Sequence, residues 1–430
     1  MHRRDPVVIT GAAMVTALGH SAEETWEGLV AGKRGICSIG SFDAQGFACK
    51  VAAQVPGLDL GNLSFQPKWA RIADLHSYML MRCSGEAFNQ ADLGLSAVAS
   101  EDVGFFVGMG TVDYKLEDLL SAVLASRTGT DLIDMRMFFS KCYQEIYPLF
   151  TLSMLNNISL CLAAIALNVR GENAVFSPHA DSGAQAITEA IHTLVEDRAK
   201  AVLAGGVSEK IGAMSLARGH LTEVLNIKDD QVPCRPFAVD RAGTALGEGC
   251  AILCLELRTR ADQRGAKYTT AITGYGHAFG SDPAGYGPTT EAVVEAMKKS
   301  LDVAQLRPAE IDVVIAHGDG TPVGDEIETE AIARVFGASL GKILVYSSKA
   351  ALGHLLPAAP AVDAVLSMYM LNQRIIPPVL PRNPAIDKLP FRIVGGAALA
   401  CEARRVMVNC RSCEGQTASL VLENAAEMES

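Results

Sequence analysis

With 430 residues, 49% of them hydrophobic and 20% charged, the chain carries enough apolar material for a large core and too much for a disordered protein. A net charge of -11 and the lack of any Lys/Arg block exclude a general nucleic-acid surface, so an acidic partner must dock on a local basic patch. No run approaches the roughly 18 to 20 uncharged apolar residues of a membrane span. The first residues, Met1 to Pro6, lead straight into a strand-like Val7–Thr10 without an apolar signal segment, and cytoplasmic residence is expected. Length alone suggests two to three domains or one large duplicated unit. Along the chain, the stretch from about Thr111 to Asn157 reads as an insertion, helical around Leu116–Leu124 and Leu132–Tyr147. Ala184–Glu196 then has helical spacing, and Ala199–Gly205 is a short apolar run of strand type. The eleven cysteines show no paired metal-ligand spacing, and Cys250/Cys254 and Cys410/Cys413 lack matching second pairs. Buried, reduced thiols are expected, with no metal site.

Self-similarity organises the chain. Val7–Ala13 (VVITGAA) is echoed by Ala271–His277 (AITGYGH), and Glu101–Thr111 (EDVGFFVGMGT) by Ile311–Thr321 (IDVVIAHGDGT). Ala174–Gly183 (AVFSPHADSG) lines up with Leu344–Gly353 (LVYSSKAALG), and Gly249–Glu256 (GCAILCLE) with Gln416–Glu423 (QTASLVLE). All these pairs keep their order, which chance does not readily supply. Alternating apolar runs and helical patterns within each copy point to an α/β architecture of mostly parallel, buried strands. Two stacked copies predict a five-layered αβαβα sandwich. The N-terminal half spans 1–258, with the insertion at about 111–157, and the C-terminal half spans 259–430.

The motifs Val7–Gly19, Arg235-Pro-Phe237 with Gly247-Glu-Gly249, His317–Asp325 and Lys349–His354 resemble, nearly end to end, the β-ketoacyl-carrier-protein synthases of fatty-acid and polyketide synthesis. The resemblance implies the thiolase-like fold. It also implies a cysteine nucleophile at a helix N-terminus, where the thiol is acidified and backbone N–H groups face the developing oxyanion. Two histidines would hold the thioester carbonyl of the extender and stabilise the enolate left by carbon dioxide. A lysine paired with a carboxylate would fix that geometry. His317, His354 and Lys349 match these positions, and Asp325 and Glu328 match acidic positions of the same loop-helix.

The nucleophile does not match. Ser182-Gly183 anchor the register and place Ala180 where the cysteine belongs, and a methyl group cannot attack a thioester. His179, just before it, is expected to point elsewhere, packing or meeting a partner. Asp319 stands where the family has a threonine beside the phosphopantetheine arm, leaving Thr321. The glycine-rich gating loop is replaced by Asn409–Gly415 (NCRSCEG), with Cys413 at the gate and Arg411 at an earlier phenylalanine. Pro357 and Pro360 replace glycines after His354.

These departures imply a non-condensing partner of a Cys-bearing ketosynthase, similar to the chain-length factors of type II polyketide systems. The partners implied are an active ketosynthase subunit, in a heterodimer or a dimer of dimers, and acyl carrier protein. No cofactor is expected beyond the substrate's phosphopantetheine arm. Asp319, Thr321, Arg411, Cys413 and the insertion's Phe138 would line the substrate path, although ordinary interface core is an equal reading for the insertion's apolar residues. A malonyl-carrier-protein decarboxylase is the alternative, since decarboxylation needs His317 and His354 but no nucleophile. A substitution engineered into an active synthase is disfavoured by the altered neighbours Pro178, His179, Asp181 and Cys413.

Overall fold

The computed structural model describes residues 5–58, 66–94, 98–113, 116–129, 132–222, 224–228, 232–281, 287–379 and 389–428. The main strands are β1 (Val7–Thr16), β2 (Val103–Met109), β3 (Asn173–Phe176), β4 (Ala201–Val207), β5 (Gly249–Leu257) and β6 (Thr270–Phe279). They continue with β7 (Val313–Ile315), β8 (Leu344–Tyr346), β9 (Arg392–Ile393), β10 (Arg405–Arg411) and β11 (Gln416–Asn424). The helices that matter here are α1 (Leu75–Gln90), α2 (Asn157–Leu167), α3 (Ser182–Val195), α4 (Ala213–Leu221), α5 (Thr290–Ala304), α6 (Pro322–Phe336) and α7 (Ala359–Gln373).

Strand order confirms the duplication. From the seam outward the first half runs β1-β5-β4-β2-β3, and the second runs β6-β11-β10-β7-β8 with β9 added at its edge. The directions match as well: antiparallel, antiparallel, parallel, parallel in each half. Among the described residues the two halves of this eleven-stranded sheet join where Val7 and Val8 of β1 pair with Ile272 and Ala271 of β6. Each pair of echoed segments falls on corresponding strands.

Burial explains the sequence patterns. β2 and β4 are covered on both faces and therefore read as unbroken runs, VGFFVGM and AVLAGGV, all buried. Helices α3 and α7 pack on each other and on strands of both halves, forming the middle layer. This position accounts for α7, whose buried residues run almost all round from Ala359 to Leu371 instead of forming one stripe. Helices α1 and α2 cover the outside of the first sheet, and α5 and α6 that of the second. The outcome is the expected α/β sandwich, αβαβα. Between β2 and β3 lie the insertion helices Leu116–Ala125 and Met135–Ser140, a stretch with no counterpart between β7 and β8. Among the described residues no helix is long and apolar enough to cross a membrane.

The layers bring four chain segments to one place. The β3–α3 turn, the β7–α6 loop, the segment after β8 and the β10–β11 hairpin all leave the same end of the parallel strands, where ligands gather in such sheets.

Candidate active site

A cavity of about 480 Å³ opens where these four segments meet, and its wall includes Ala180, His317, Asp319, His354, Arg411 and Cys413. Ala180 is buried and lies just ahead of Asp181, the N-cap of α3, whose carbonyl accepts from the N–H groups of Ala184 and Gln185. The β3–α3 turn is held by Asp181. Its carboxylate accepts hydrogen bonds from the Ser412 hydroxyl (3.0 Å) and the Gln185 amide (2.7 Å). The turn into α3 thus presents the methyl group of Ala180 to the cavity.

His317 and His354 meet edge to face, with ring centroids 4.9 Å apart. Gly353 makes this possible: at φ +69° it turns the chain where a side chain would strike the Leu246 carbonyl, and His354 follows immediately. Burial drives both imidazoles neutral, lowering His317 well below the ordinary range and His354 to about 3. The tautomer then follows from the backbone. The N–H of Arg411 donates to Nδ1 of His317 (3.2 Å), and the N–H of Leu356 donates to Nδ1 of His354 (3.1 Å). A neutral ring that accepts at Nδ1 carries its hydrogen on Nε2, so both rings are Nε2–H donors.

The first of these donors is already engaged. Nε2 of His317 lies 3.4 Å from Asp319 Oδ2. The other carboxylate oxygen accepts from Arg411 Nη2 (2.8 Å), the Thr321 hydroxyl (2.7 Å) and the Thr321 N–H (2.9 Å). Burial pushes the Asp319 carboxyl up, but Arg411 and His317 pull it well below the usual range, so it is charged. Arg411 lies across Gly324 so closely that a β-carbon there would fall 1.7 Å from Nη2. Only glycine at 324 lets the guanidinium reach Asp319.

Two further carboxylates sit behind this wall as braces. Glu328 accepts from the N–H groups of His317 and Gly318, both at 2.8 Å, and Asp325 from those of Phe237 (2.6 Å) and Gly320 (3.2 Å). Burial, with the Asp319 charge next, raises Asp325 to about 8. Lys349 lies outside the cavity wall. It is fully buried against Asp363 (2.9 Å), whose other oxygen accepts from Ser348, and holds the segment leading to His354.

The donor atoms of His317, Asp319 and His354 lie within 4.8 Å of one another, a spacing a metal ion could bridge. The tautomers oppose it. Each Nε2 lone pair is used by a hydrogen, and Arg411 already neutralises the carboxylate.

With that geometry established, the chain can be set against known proteins. The profile of the beta-ketoacyl synthase N-terminal domain matches residues 4–261, and that of the C-terminal domain matches residues 269–383. The chain belongs to the β-ketoacyl synthase family. Curated relatives include 3-oxoacyl-acyl-carrier-protein synthase 2 of Synechocystis, 29% identical over 87% of both chains. The corresponding protein of Coxiella burnetii is 28% identical over 97% of this chain and 98% of its own. Among solved structures, the ishigamide ketosynthase/chain length factor superposes with a TM-score of 0.82 at 25% identity, covering 98% of this chain and 99% of the other. A Burkholderia phymatum β-ketoacyl synthase gives 0.84 at 26%, covering 98% and 100%.

Within this β-ketoacyl synthase, Ala180, His317, His354, Asp319, Thr321, Arg411 and Cys413 share one cavity, while Phe138 does not border it. Phe138 is half-buried in the insertion against Phe139. One expectation is corrected. His179 does not point elsewhere: it lines the cavity with Nδ1 3.2 Å from Glu414, because the β3–α3 turn faces the β10–β11 hairpin. Cys413 is a protonated thiol, raised to about 12 by burial and the neighbouring Glu414 charge. All eleven cysteines are free. Sequence reasoning missed Arg218, which lines the cavity and is paired with Asp113 (2.7 Å) and Glu209 (2.6 Å). Only a basic residue on the short helix α4 hinted at it.

Proposed function

We propose that this β-ketoacyl synthase is the non-condensing subunit of a ketosynthase pair, working beside a Cys-bearing partner on chains delivered by acyl carrier protein. The observation that carries the reading is Ala180 at the helix N-terminus, where a nucleophile would have to stand for an acyl-enzyme to form. A subunit without that group contributes through a competent partner, and the surface supports one. The insertion exposes Leu132 (70%), Phe139 (67%) and Met135 (56%), and β3 lies at the end of the sheet. The curated relatives are condensing synthases by name, and one structural neighbour is a ketosynthase/chain length factor. On this reading the protein acts in the cytoplasm, needs no cofactor of its own, and meets its substrate on a phosphopantetheine arm.

A second reading, malonyl-carrier-protein decarboxylation, is favoured by one observation: His317 and His354 are both present as Nε2–H donors. Co-expression with a Cys-bearing ketosynthase from the same source separates the two, with carrier protein followed by intact mass. One-to-one co-purification, extension only by the pair, and an inert isolated chain are expected. Charged substitutions at Leu132 and Phe139 should abolish co-purification without unfolding the chain. Extension by the isolated chain overturns the first reading. Rapid conversion of malonyl- to acetyl-carrier protein by the isolated chain, lost in His317→Ala or His354→Ala, establishes the second.

A further inference from the structure

We infer that Asp319, clamped by Arg411, is a built-in brake on decarboxylation: it occupies the hydrogen-bond donor of His317 with a fixed negative charge and silences an otherwise complete enolate site. The inference rests on the non-condensing reading above and adds why the retained histidines do not make the chain a decarboxylase.

The chemistry fixes what such a site must do. In a malonyl thioester the bond between Cα and the carboxylate carbon breaks, carbon dioxide leaves, and its electron pair moves into the thioester as an enolate oxyanion. Water then protonates Cα, giving the acetyl thioester. No oxidant or second substrate is needed. The acceleration available to the protein is the stabilisation of that one oxygen by N–H donors preorganised around it. His354 offers such a donor towards the cavity, its Nδ1 being occupied by the Leu356 N–H.

His317 offers the second donor, but its Nε2 lies 3.4 Å from Asp319 Oδ2, a long charge-assisted contact that draws on the same hydrogen. An enolate oxygen within hydrogen-bond reach of both rings would compete with that carboxylate for the same hydrogen. It would also sit within a few ångströms of a second negative charge. The malonyl carboxylate meets the same repulsion before it reacts. Arg411, whose Nη2 contacts Asp319 Oδ1 and the Thr321 hydroxyl, offsets part of this repulsion, so the brake lies chiefly in the competition for the Nε2 hydrogen. The arrangement is held from several sides. Asp319 accepts from Thr321 twice and from Arg411, both charged groups are about 95% buried, and the guanidinium lies where a side chain at Gly324 would collide with it.

The test is turnover of malonyl-carrier protein by the full-length chain, without a partner, followed by intact mass. Asp319→Asn keeps the shape and removes the charge. The double variant Asp319→Thr/Arg411→Phe removes both members of the pair, so that no buried charge is stranded. Both are expected to raise acetyl-carrier-protein formation by about tenfold or more over the parent chain. Adding His354→Ala should return either to the parent level, which excludes a contaminating enzyme. If both variants melt cooperatively and decarboxylate no faster than the parent, the brake does not exist. A parent chain already as fast as the variants overturns it equally. The first result leaves the partner reading untouched, since that is judged by co-purification and paired extension; an active parent chain that loses turnover in His354→Ala supports the decarboxylase reading instead.

Discussion

Replacing Arg411 with methionine tests the central electrostatic feature of the site. Arg411 and Asp319 are 5% and 4% exposed, and their closest atoms are 2.8 Å apart. Unit charges about 4 Å apart at an effective dielectric constant of about 20 attract by about 4 kcal/mol. Removing one member of a buried pair costs about 3–5 kcal/mol, because the remaining charge is stranded. Methionine spans a similar length, so little of the loss comes from a cavity. Arg411→Met should therefore destabilise the chain by about 3–5 kcal/mol. Asp319→Asn should cost less, since Asn Oδ1 still accepts the Thr321 N–H. Urea unfolding of the parent, both singles and the double variant gives a cycle with an expected coupling of about 3 kcal/mol. The acid limb offers a second readout. Asp319 has a depressed pKa in the fold, so its stabilisation is complete above the unfolded carboxylate value and lost as pH falls through the folded one. Arg411→Met should lose that portion of the acid dependence. A coupling under about 0.5 kcal/mol refutes the pairing, and with it the charge arrangement deduced for the cavity.

His354 has its pKa lowered to about 3, chiefly by burial, so its contribution is full above the unfolded histidine value and lost as pH falls below it. Compared with His354→Gln, the parent chain should lose about 1.4 kcal/mol per pH unit between roughly pH 6.5 and the folded value, and parallel stability profiles would contradict the buried neutral ring. Asp325 runs in the opposite direction. Raised to about 8 by burial first and the Asp319 charge second, it costs stability as pH climbs from the unfolded carboxylate value towards 8, a slope that Asp325→Asn should remove. Ala180→Cys should place a thiol on the α3 N-terminus and become acylated by acyl-carrier protein, a mass increment absent from the parent. A variant that resists both acylation and iodoacetamide would show that the turn does not present this position to the cavity.

Much of the architecture was legible without coordinates, because it is periodic. Strands buried on both faces must be continuous apolar runs, which is why VGFFVGM and AVLAGGV stood out. A duplicated chain must repeat such runs in order, which is why four weak echoes sufficed to predict the mirrored sheets. The positions of Ala180, His317 and His354 were legible through the resemblance to the β-ketoacyl synthases, whose short motifs set the register. His179 was misread because its surroundings come from the β10–β11 hairpin, far along the chain, and no local pattern encodes that meeting.

The sequence by itself determined the order of apolar runs and their duplication, since these follow from near-neighbour patterns, and its resemblance to the β-ketoacyl synthases pointed to Ala180, His317 and His354. Only the tertiary structure decided what the retained groups can do. Asp319 and Arg411 lie 92 residues apart and meet because β7 and β10 are neighbours in the sheet, whereas Asp181 and Ser412 lie 231 apart and meet only because the two halves stack. The His317 tautomer was decided in the same way, by the backbone N–H of Arg411, whereas that of His354 is set by the N–H of Leu356 two residues on, once the turn is folded. A motif can say that an imidazole is present. Which of its nitrogens carries the hydrogen, and which neighbour takes it, is set by packed partners that the order of residues does not bring together.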